Sequence, residues 1–123
     1  FNISLDLLCI ANLDGVFLRL NPAWEQTLGF SLSELIGHKI FDFIHPDDLA
    51  STAQAVATLG AEKEVWNFVN RYRCKDGSYR WIEWRSAPAG DLIYAAARDI
   101  TDHIRTEEQL RNYKDHLEDF YRS

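Results

Sequence analysis

Residues 65–101 read VWNFVNRYRCKDGSYRWIEWRSAPAGDLIYAAARDIT, a succession of three strand-like segments at 65–74, 79–86 and 92–100. The first two are joined by Lys75-Asp76-Gly77-Ser78, in which Asp-Gly is a strong hairpin signal because glycine tolerates positive φ. Large aromatic residues fall on both faces of this ribbon. Since a sheet with one solvated face shows a cleaner alternation, we expect both faces to be covered.

Length and composition indicate a globular domain of ordinary size. The chain has 123 residues, of which 46% are apolar and 26% charged, and no apolar run approaches the ~20 residues of a membrane helix. The net charge of −6 argues against a general nucleic-acid binder, which carries a basic face. The chain starts at Phe1 and contains no Met, so we expect it to be a piece of a longer protein.

Two cysteines, Cys9 and Cys74, are too few for a disulfide framework or a cysteine metal site. Both lie in apolar, strand-like surroundings. We therefore favour buried free thiols in a reducing cytosol over a disulfide bridge.

The N-terminal part carries a second hairpin signal and a helix signal. Apolar runs at 7–13 and 16–20 are separated by Asp14-Gly15, which predicts a turn. Asn21-Pro22 then predicts a short helix over 23–28 with Asn21 as its N-cap. Gly29 is placed to end that helix in the left-handed conformation.

The middle of the chain is predicted to be helical. A capping box formed by Ser31 and Glu34 predicts a short helix over 32–36. His45-Pro46 opens a longer predicted helix over 47–59, because proline suits the first helical position and two acids follow in the first turn. Its apolar positions near helical spacing are Leu49, Ala53, Val56 and Leu59.

Two strands, a run of short helices and three strands predict an α+β architecture, with one antiparallel sheet and helices on one face. Residues 102–123 differ in kind. Their apolar residues follow a 3-4-3 spacing over two heptads, which suggests a coiled coil but falls short of the three or four heptads that establish one. They are Leu110, Tyr113, Leu117 and Phe120.

The order and spacing of several short motifs resemble a PAS domain followed by its PAC motif. They are Asp14-Gly15, Asn21-Pro22-Ala23, Gly29-Phe30-Ser31, Glu34-Leu35-Ile36-Gly37, His45-Pro46-Asp47-Asp48, the segment RYRCKDG at 71–77, Trp81 and Arg98-Asp99-Ile100-Thr101. The resemblance implies a five-stranded antiparallel sheet that holds a pocket beneath short helices. It also implies a division into a sensory domain, 1–101, and a C-terminal linker helix, 102–123, which runs into an output domain.

The resemblance further implies a sensory or dimerising module, of the kind found in histidine kinases of two-component systems and in cyclic-dinucleotide enzymes. We do not expect the fragment itself to be an enzyme. His45 near Asp47 and Asp48 could act in acid–base chemistry, but capping and the helix dipole explain this group fully. The four histidines, His38, His45, His103 and His116, are too scattered for an evident metal cluster.

Cofactors are not expected. The flavin photosensors of the family carry a Gly-x-Asn-Cys-Arg-Phe-Leu-Gln motif, whereas residues 37–44 read GHKIFDFI. Haem-binding members commonly supply a histidine from the long helix, and residues 49–59 contain none. A small apolar ligand stays open, although a filled core is favoured. The candidate pocket residues are Phe41, Phe43, Phe68, Tyr72, Ile82 and Trp84.

The functional prediction is a cytoplasmic sensory and dimerisation module that acts through its C-terminal helix. Asp99, Ile100 and Thr101 form the predicted signal junction, where Asp99 or Thr101 caps the helix. We expect a homodimer held by the stripe of Leu110, Tyr113, Leu117 and Phe120 and by aromatic residues of the sheet, with no nucleic-acid partner and no membrane insertion. The alternative is a structural dimerisation module that binds no ligand.

Overall fold

The computed structural model describes residues 6–122 and contains one antiparallel sheet with helices on one of its faces. The predicted fold class is thereby confirmed. Neighbouring strands follow the order second, first, fifth, fourth and third. The elements are β1 (Leu7–Asn12), β2 (Phe17–Leu20), α1 (Ala23–Leu28), α2 (Leu32–Leu35), 3₁₀ turns at Ile40–Asp42 and Pro46–Asp48, α3 (Leu49–Gly60), β3 (Val65–Arg73), β4 (Tyr79–Ala89), β5 (Leu92–Asp99) and α4 (Thr101–Arg122).

The β1–β2 turn forms at Asp14-Gly15, as the sequence predicts. Gly15 has a φ of 81°, and a Cβ at this position would lie 2.9 Å from Cε2 of Phe41. Asn12 reinforces the turn because its Oδ1 accepts hydrogen bonds from the N–H groups of Asp14 at 2.9 Å and Val16 at 3.0 Å. Only glycine therefore satisfies both the backbone conformation and the close approach of the ring.

The predicted role of Asn21 as a helix cap is wrong. Pro22 occupies the N-cap position of α1, with no side-chain capping bond. The Asn21 amide instead accepts the N–H of Leu8 and donates to the carbonyl of Asp6, both at 2.9 Å. It thus supplies hydrogen bonds to the start of β1, where β2 has ended. Gly29 ends α1 with a φ of 84°, as predicted.

The long helix differs from its prediction at its start and on its buried face. The Pro46–Asp48 segment is a 3₁₀ turn that precedes α3. Of the four predicted apolar positions, Leu49 and Ala53 are exposed, Val56 is half-buried and Leu59 is buried, whereas Thr52, outside that set, is buried as well. The helix is therefore rotated relative to the apolar positions read from the sequence, and a threonine contacts the sheet.

The core lies between the helices and one face of the sheet. Trp24 of α1 is fully buried, and its ring lies 5.3 Å from that of Phe17, 5.9 Å from Tyr72 and 5.8 Å from Trp84. Cys9 and Cys74 are both buried and free. Burial raises the pKa of the Cys9 thiol to about 12, so this thiol stays protonated and unreactive at neutral pH.

The opposite face of the sheet is open in the single chain, although both faces were expected to be covered. Leu8, Trp66 and Tyr94 are exposed there. Asn67 of β3 has a φ of 56° at a bulge where the pairing with β4 shifts register. Within residues 6–122, no helix is both long enough and apolar enough to cross a membrane.

Candidate functional site

A partly open cavity of about 50 Å³ lies between α3 and the inner face of the sheet. A cavity this size holds roughly three or four water molecules and is far smaller than the ~300 Å³ of a typical small-molecule pocket. Its walls come mainly from α3 and from the four strands β1, β3, β4 and β5. They include Cys9, Thr52, Val56, Leu59, Phe68, Asn70, Tyr72 and Trp84.

A buried polar network forms one wall of this cavity. Asn70, only 1% exposed, donates through Nδ2 to Thr52 Oγ1 at 3.1 Å. Its Oδ1 accepts the indole N–H of Trp84 at 2.8 Å. No side-chain nitrogen or oxygen buried within residues 6–122 lacks a hydrogen-bond partner. The cavity therefore offers uncharged polar groups that are already satisfied.

The ionisable groups beside the cavity are held neutral. Burial raises the pKa of the Tyr72 phenol well above its ordinary value, with a smaller rise from nearby Cys9. The pKa of the Cys9 thiol is raised by burial as well. A neutral cavity has no group poised for proton transfer or thiolate chemistry near pH 7.

The six candidate pocket residues do not all meet. Phe68, Tyr72 and Trp84 line the cavity. Phe43 is buried elsewhere, with its ring 6.2 Å from Phe17 and 5.2 Å from Phe30. Ile82 is also buried outside the cavity wall, and Phe41 packs against the Gly15 turn.

Sequence reasoning missed Thr52 and Asn70, the polar part of the wall. Asn70 lies two residues from both Phe68 and Tyr72 along β3. Since every second side chain of a strand points to the same face, the sequence already placed a polar residue on the inward face. Thr52 gave no comparable signal, because threonine on a helix usually faces solvent.

The junction between β5 and α4 is hydrogen-bonded to β4. Thr101 is 1% exposed, and its Oγ1 accepts the N–H of Trp81 at 2.9 Å while donating to Asp99 Oδ1 at 2.5 Å. The same carboxylate oxygen accepts the Thr101 N–H at 2.9 Å. The N–H of Ile100 donates to the Trp81 carbonyl at 2.9 Å. Both main-chain groups of Trp81 thus bind the segment that starts α4.

The remainder of α4 extends away from the body of the domain. Beyond Thr101, only Ile104 among the helix residues through Arg122 is even half-buried. The four residues of the apolar stripe are exposed by 56%, 62%, 40% and 72% in chain order. They are Leu110, Tyr113, Leu117 and Phe120.

The His45 segment has a structural role. His45 Nδ1 accepts the N–H of Asp47 at 3.0 Å, and the imidazole ring lies 4.7 Å from that of Tyr79. Asp48 accepts three hydrogen bonds from Arg71, at 2.8–3.0 Å. These contacts attach the segment to the edge of β3.

Comparisons with known proteins agree with this geometry. The sequence matches the PAS fold family over residues 17–92. The White collar 1 protein of Neurospora crassa is 31% identical over 78 residues, which are 63% of this chain and 7% of that protein. The chain spans less than a fifth of each of the four curated relatives compared, between 7% and 18%.

Solved structures of PAS domains also resemble this fold. A tryptophan-to-alanine variant of the Drosophila melanogaster Cycle PAS-B domain with bound glycerol has a TM-score of 0.67 at 25% identity, covering 76% of this chain and 98% of that chain. The RpfR quorum-sensing receptor PAS domain of Cronobacter turicensis, in complex with BDSF, has a TM-score of 0.69 at 19% identity, covering 79% and 95%. The second likeness shows the fold alone.

Proposed function

The chain belongs to the PAS fold family, whose members are sensory and interaction modules of signalling proteins, and we propose that it relays a change in its core to an output domain through α4. In this proposal residues 1–101 are the sensory domain and residues 102–123 a linker helix. The parent protein is cytoplasmic, and its output domain is a histidine kinase or a cyclic-dinucleotide enzyme.

The observation that carries the proposal is the hydrogen bonding at the junction. Thr101 and Ile100 bind both main-chain groups of Trp81, and we expect a displacement of β4 to pull on the first turn of α4 through these bonds. Trp84, three residues along the same strand, borders the cavity. A change at the cavity thus has a short, hydrogen-bonded route to the helix.

The stripe on α4 supports homodimerisation as the second part of the function. Successive helix residues are rotated by about 100°, which puts the stripe about 160° around the helix from Ile104, the residue nearest the body. A second copy can therefore approach the stripe without meeting the body at the first turn. Four exposed large side chains in a/d spacing are typical of such a contact.

The alternative is a dimerisation module that binds no ligand, and the small cavity favours it. At about 50 Å³ the cavity excludes most metabolites without rearrangement. The two functions differ in what the junction does. In a relay, loosening the junction changes output at constant dimer affinity, whereas in a scaffold output follows dimer affinity alone.

The test compares Asp99→Ala and Thr101→Ala in the full-length parent, with Asp91→Ala in the exposed β4–β5 turn as the matched control. Output activity, melting temperature and dimer Kd are measured for each variant. We expect output to change severalfold in the junction variants while dimer Kd stays constant, because the two states of a switch differ by only a few kcal/mol. Output that tracks dimer Kd in every variant would contradict the relay and support the scaffold.

A further inference from the structure

His103 and Glu107 lie one turn apart on α4, and His103 Nε2 is 2.8 Å from Glu107 Oε1. Both side chains are largely exposed, at 70% and 58%. By itself this is an ordinary surface pair worth a few tenths of a kcal/mol. Its position relative to the apolar stripe, however, puts the pair where a second copy of the helix would pack.

The heptad register of the stripe includes His103. Leu110 and Leu117 occupy a positions, and His103 stands seven residues before Leu110, at the preceding a position. Glu107 then falls at e and Asp102 at g, on the two flanks of the same seam. The half-buried Ile104 lies about 100° around the helix from His103, and the His103 side chain is 70% exposed, so a second copy can reach the seam as far as His103.

A parallel pair of α4 helices brings these groups together. The a position places His103 opposite the partner subunit's His103, with Glu107 and the partner subunit's Glu107 beside them. Asp102 at g also faces the partner subunit's Glu107 at e. Two imidazoles are then surrounded by four carboxylates, and the facing acids repel each other unless a cation lies between them.

We propose that the dimer binds one zinc-class divalent ion between its two His103–Glu107 pairs. This inference rests on the proposed homodimer. One chain offers only two ligands here, since residues 6–122 contain no group of three or more candidate metal ligands. The dimer offers two imidazole nitrogens and two carboxylate oxygens, a set that suits tetrahedral zinc.

The spacing within each pair fits this role. Ligand atoms about 2.0–2.2 Å from a tetrahedral ion stand about 3.3–3.5 Å apart, so the 2.8 Å contact needs only a small side-chain adjustment. Metal binding at Nε2 requires its lone pair, and the imidazole then carries its proton on Nδ1. The same i, i+4 spacing lets two ligands on one helix face bind a single zinc in other proteins.

The test is sedimentation equilibrium of the 123-residue chain in EDTA, in Zn²⁺ and in Mg²⁺, with bound metal counted by native mass spectrometry. We expect zinc to lower the dimer Kd by about tenfold or more through mass action, with one zinc per two chains. Mg²⁺ should have no effect, because it prefers all-oxygen octahedral sites.

Variants separate this site from other histidines. His103→Ala and Glu107→Gln should abolish the zinc effect while preserving the dimer in EDTA, and His116→Ala should retain it. A dimer whose Kd does not respond to zinc, a ratio of one zinc per chain, or a zinc effect that persists in His103→Ala would overturn the inference and leave the proposed function standing. A chain that is monomeric in both EDTA and zinc would contradict the homodimer as well.

Discussion

Asp48 shows how a single side chain can hold a loop to a sheet edge. Its Oδ2 accepts the Arg71 N–H at 2.8 Å and Nε at 3.0 Å, and its Oδ1 accepts Nη2 at 2.9 Å. Arg71 also lies over the Trp81 ring, 4.8 Å from its centroid. The hydrogen bonds of the Arg71 side chain are the main cause of a lowered pKa for the Asp48 carboxyl.

The lowered pKa predicts how stability depends on pH. A carboxyl whose pKa is lower in the folded state contributes stability above its unfolded value of ~3.9, and loses it as pH falls through the folded value. Asp48→Asn should therefore reduce the free energy of unfolding by about 1–3 kcal/mol at pH 7. The difference from wild type should shrink below about pH 4.

Urea denaturation at pH 7 and at pH 3 measures this effect. Asp47→Asn is the matched control, because the Asp47 side chain is 78% exposed and its loss should cost less than about 0.5 kcal/mol. A deficit in Asp48→Asn that is equally large at both pH values would show that the charge of Asp48 is not what stabilises the loop.

The residues that could be predicted from sequence are those whose roles are local. Gly15 and Gly29 were identified correctly because a turn and a helix end each demand positive φ within a few residues. Asn21 was assigned wrongly because its partner, Leu8, lies 13 residues away. Thr52 and Asn70 were missed for the same reason. They lie far apart in the sequence and form a pair only once α3 packs on β3.

The existence of each helix and strand was predicted better than its terminal residues and its buried face. The sequence predicted β4 over 79–86, but the strand continues through Pro88 to Ala89, although proline is confined to the edges and ends of strands. The pairing of β3 with β4 ends at Val65 and Ser86, so Pro88 lies where β4 has only one neighbouring strand. A proline at this position removes no hydrogen bond on the side where β3 has already ended.

The docking of α3 on the sheet gives the second prediction. Thr52→Val keeps the shape of the side chain but leaves Asn70 Nδ2 without the partner it now has at 3.1 Å. Because a buried donor without an acceptor costs about 1–3 kcal/mol, we expect the free energy of unfolding to fall by that amount. Amide hydrogen exchange should increase along α3 in the same variant.

Thr58→Val is the control on the same helix. The Thr58 hydroxyl donates to the Gln54 carbonyl within its own turn, so its removal should change stability by less than about 0.5 kcal/mol. If Thr52→Val is as mild as Thr58→Val, water within the 50 Å³ cavity replaces the lost acceptor, and the direct bond does not hold the helix.

At the scale of the whole molecule, two apolar surfaces remain exposed, the stripe of α4 and the open face of the sheet. On the sheet, Leu8, Trp66 and Tyr94 line a shallow groove of about 710 Å³, and Arg85 lies 5.8 Å from the Trp66 ring. The sequence predicted aromatic residues on both faces, but a single chain has helices enough to cover only one.

The final prediction assigns the dimer contact to both surfaces. Two heptads bury too little area to associate strongly, so the sheet must contribute to any dimer that is stable at micromolar concentration. We expect the double substitution Leu110→Ala and Leu117→Ala to raise the dimer Kd at least tenfold, since each buried leucine lost costs roughly 2 kcal/mol or more. Trp66→Ala should also weaken the dimer, because the sheet surface that contains Trp66 supplies the contact area that the helices lack.

The double substitution Glu108→Ala and Asp119→Ala is the matched control, because these residues are about 160° and 140° around the helix from the centre of the stripe. It changes two side chains of the same helix and should leave the dimer Kd within about twofold, as expected of exposed charges away from a contact. Sedimentation equilibrium measures all three variants beside wild type. A control that weakens the dimer as much as the leucine variant would indicate a general loss of helix structure, and a wild-type chain that stays monomeric at high concentration would contradict the homodimer itself.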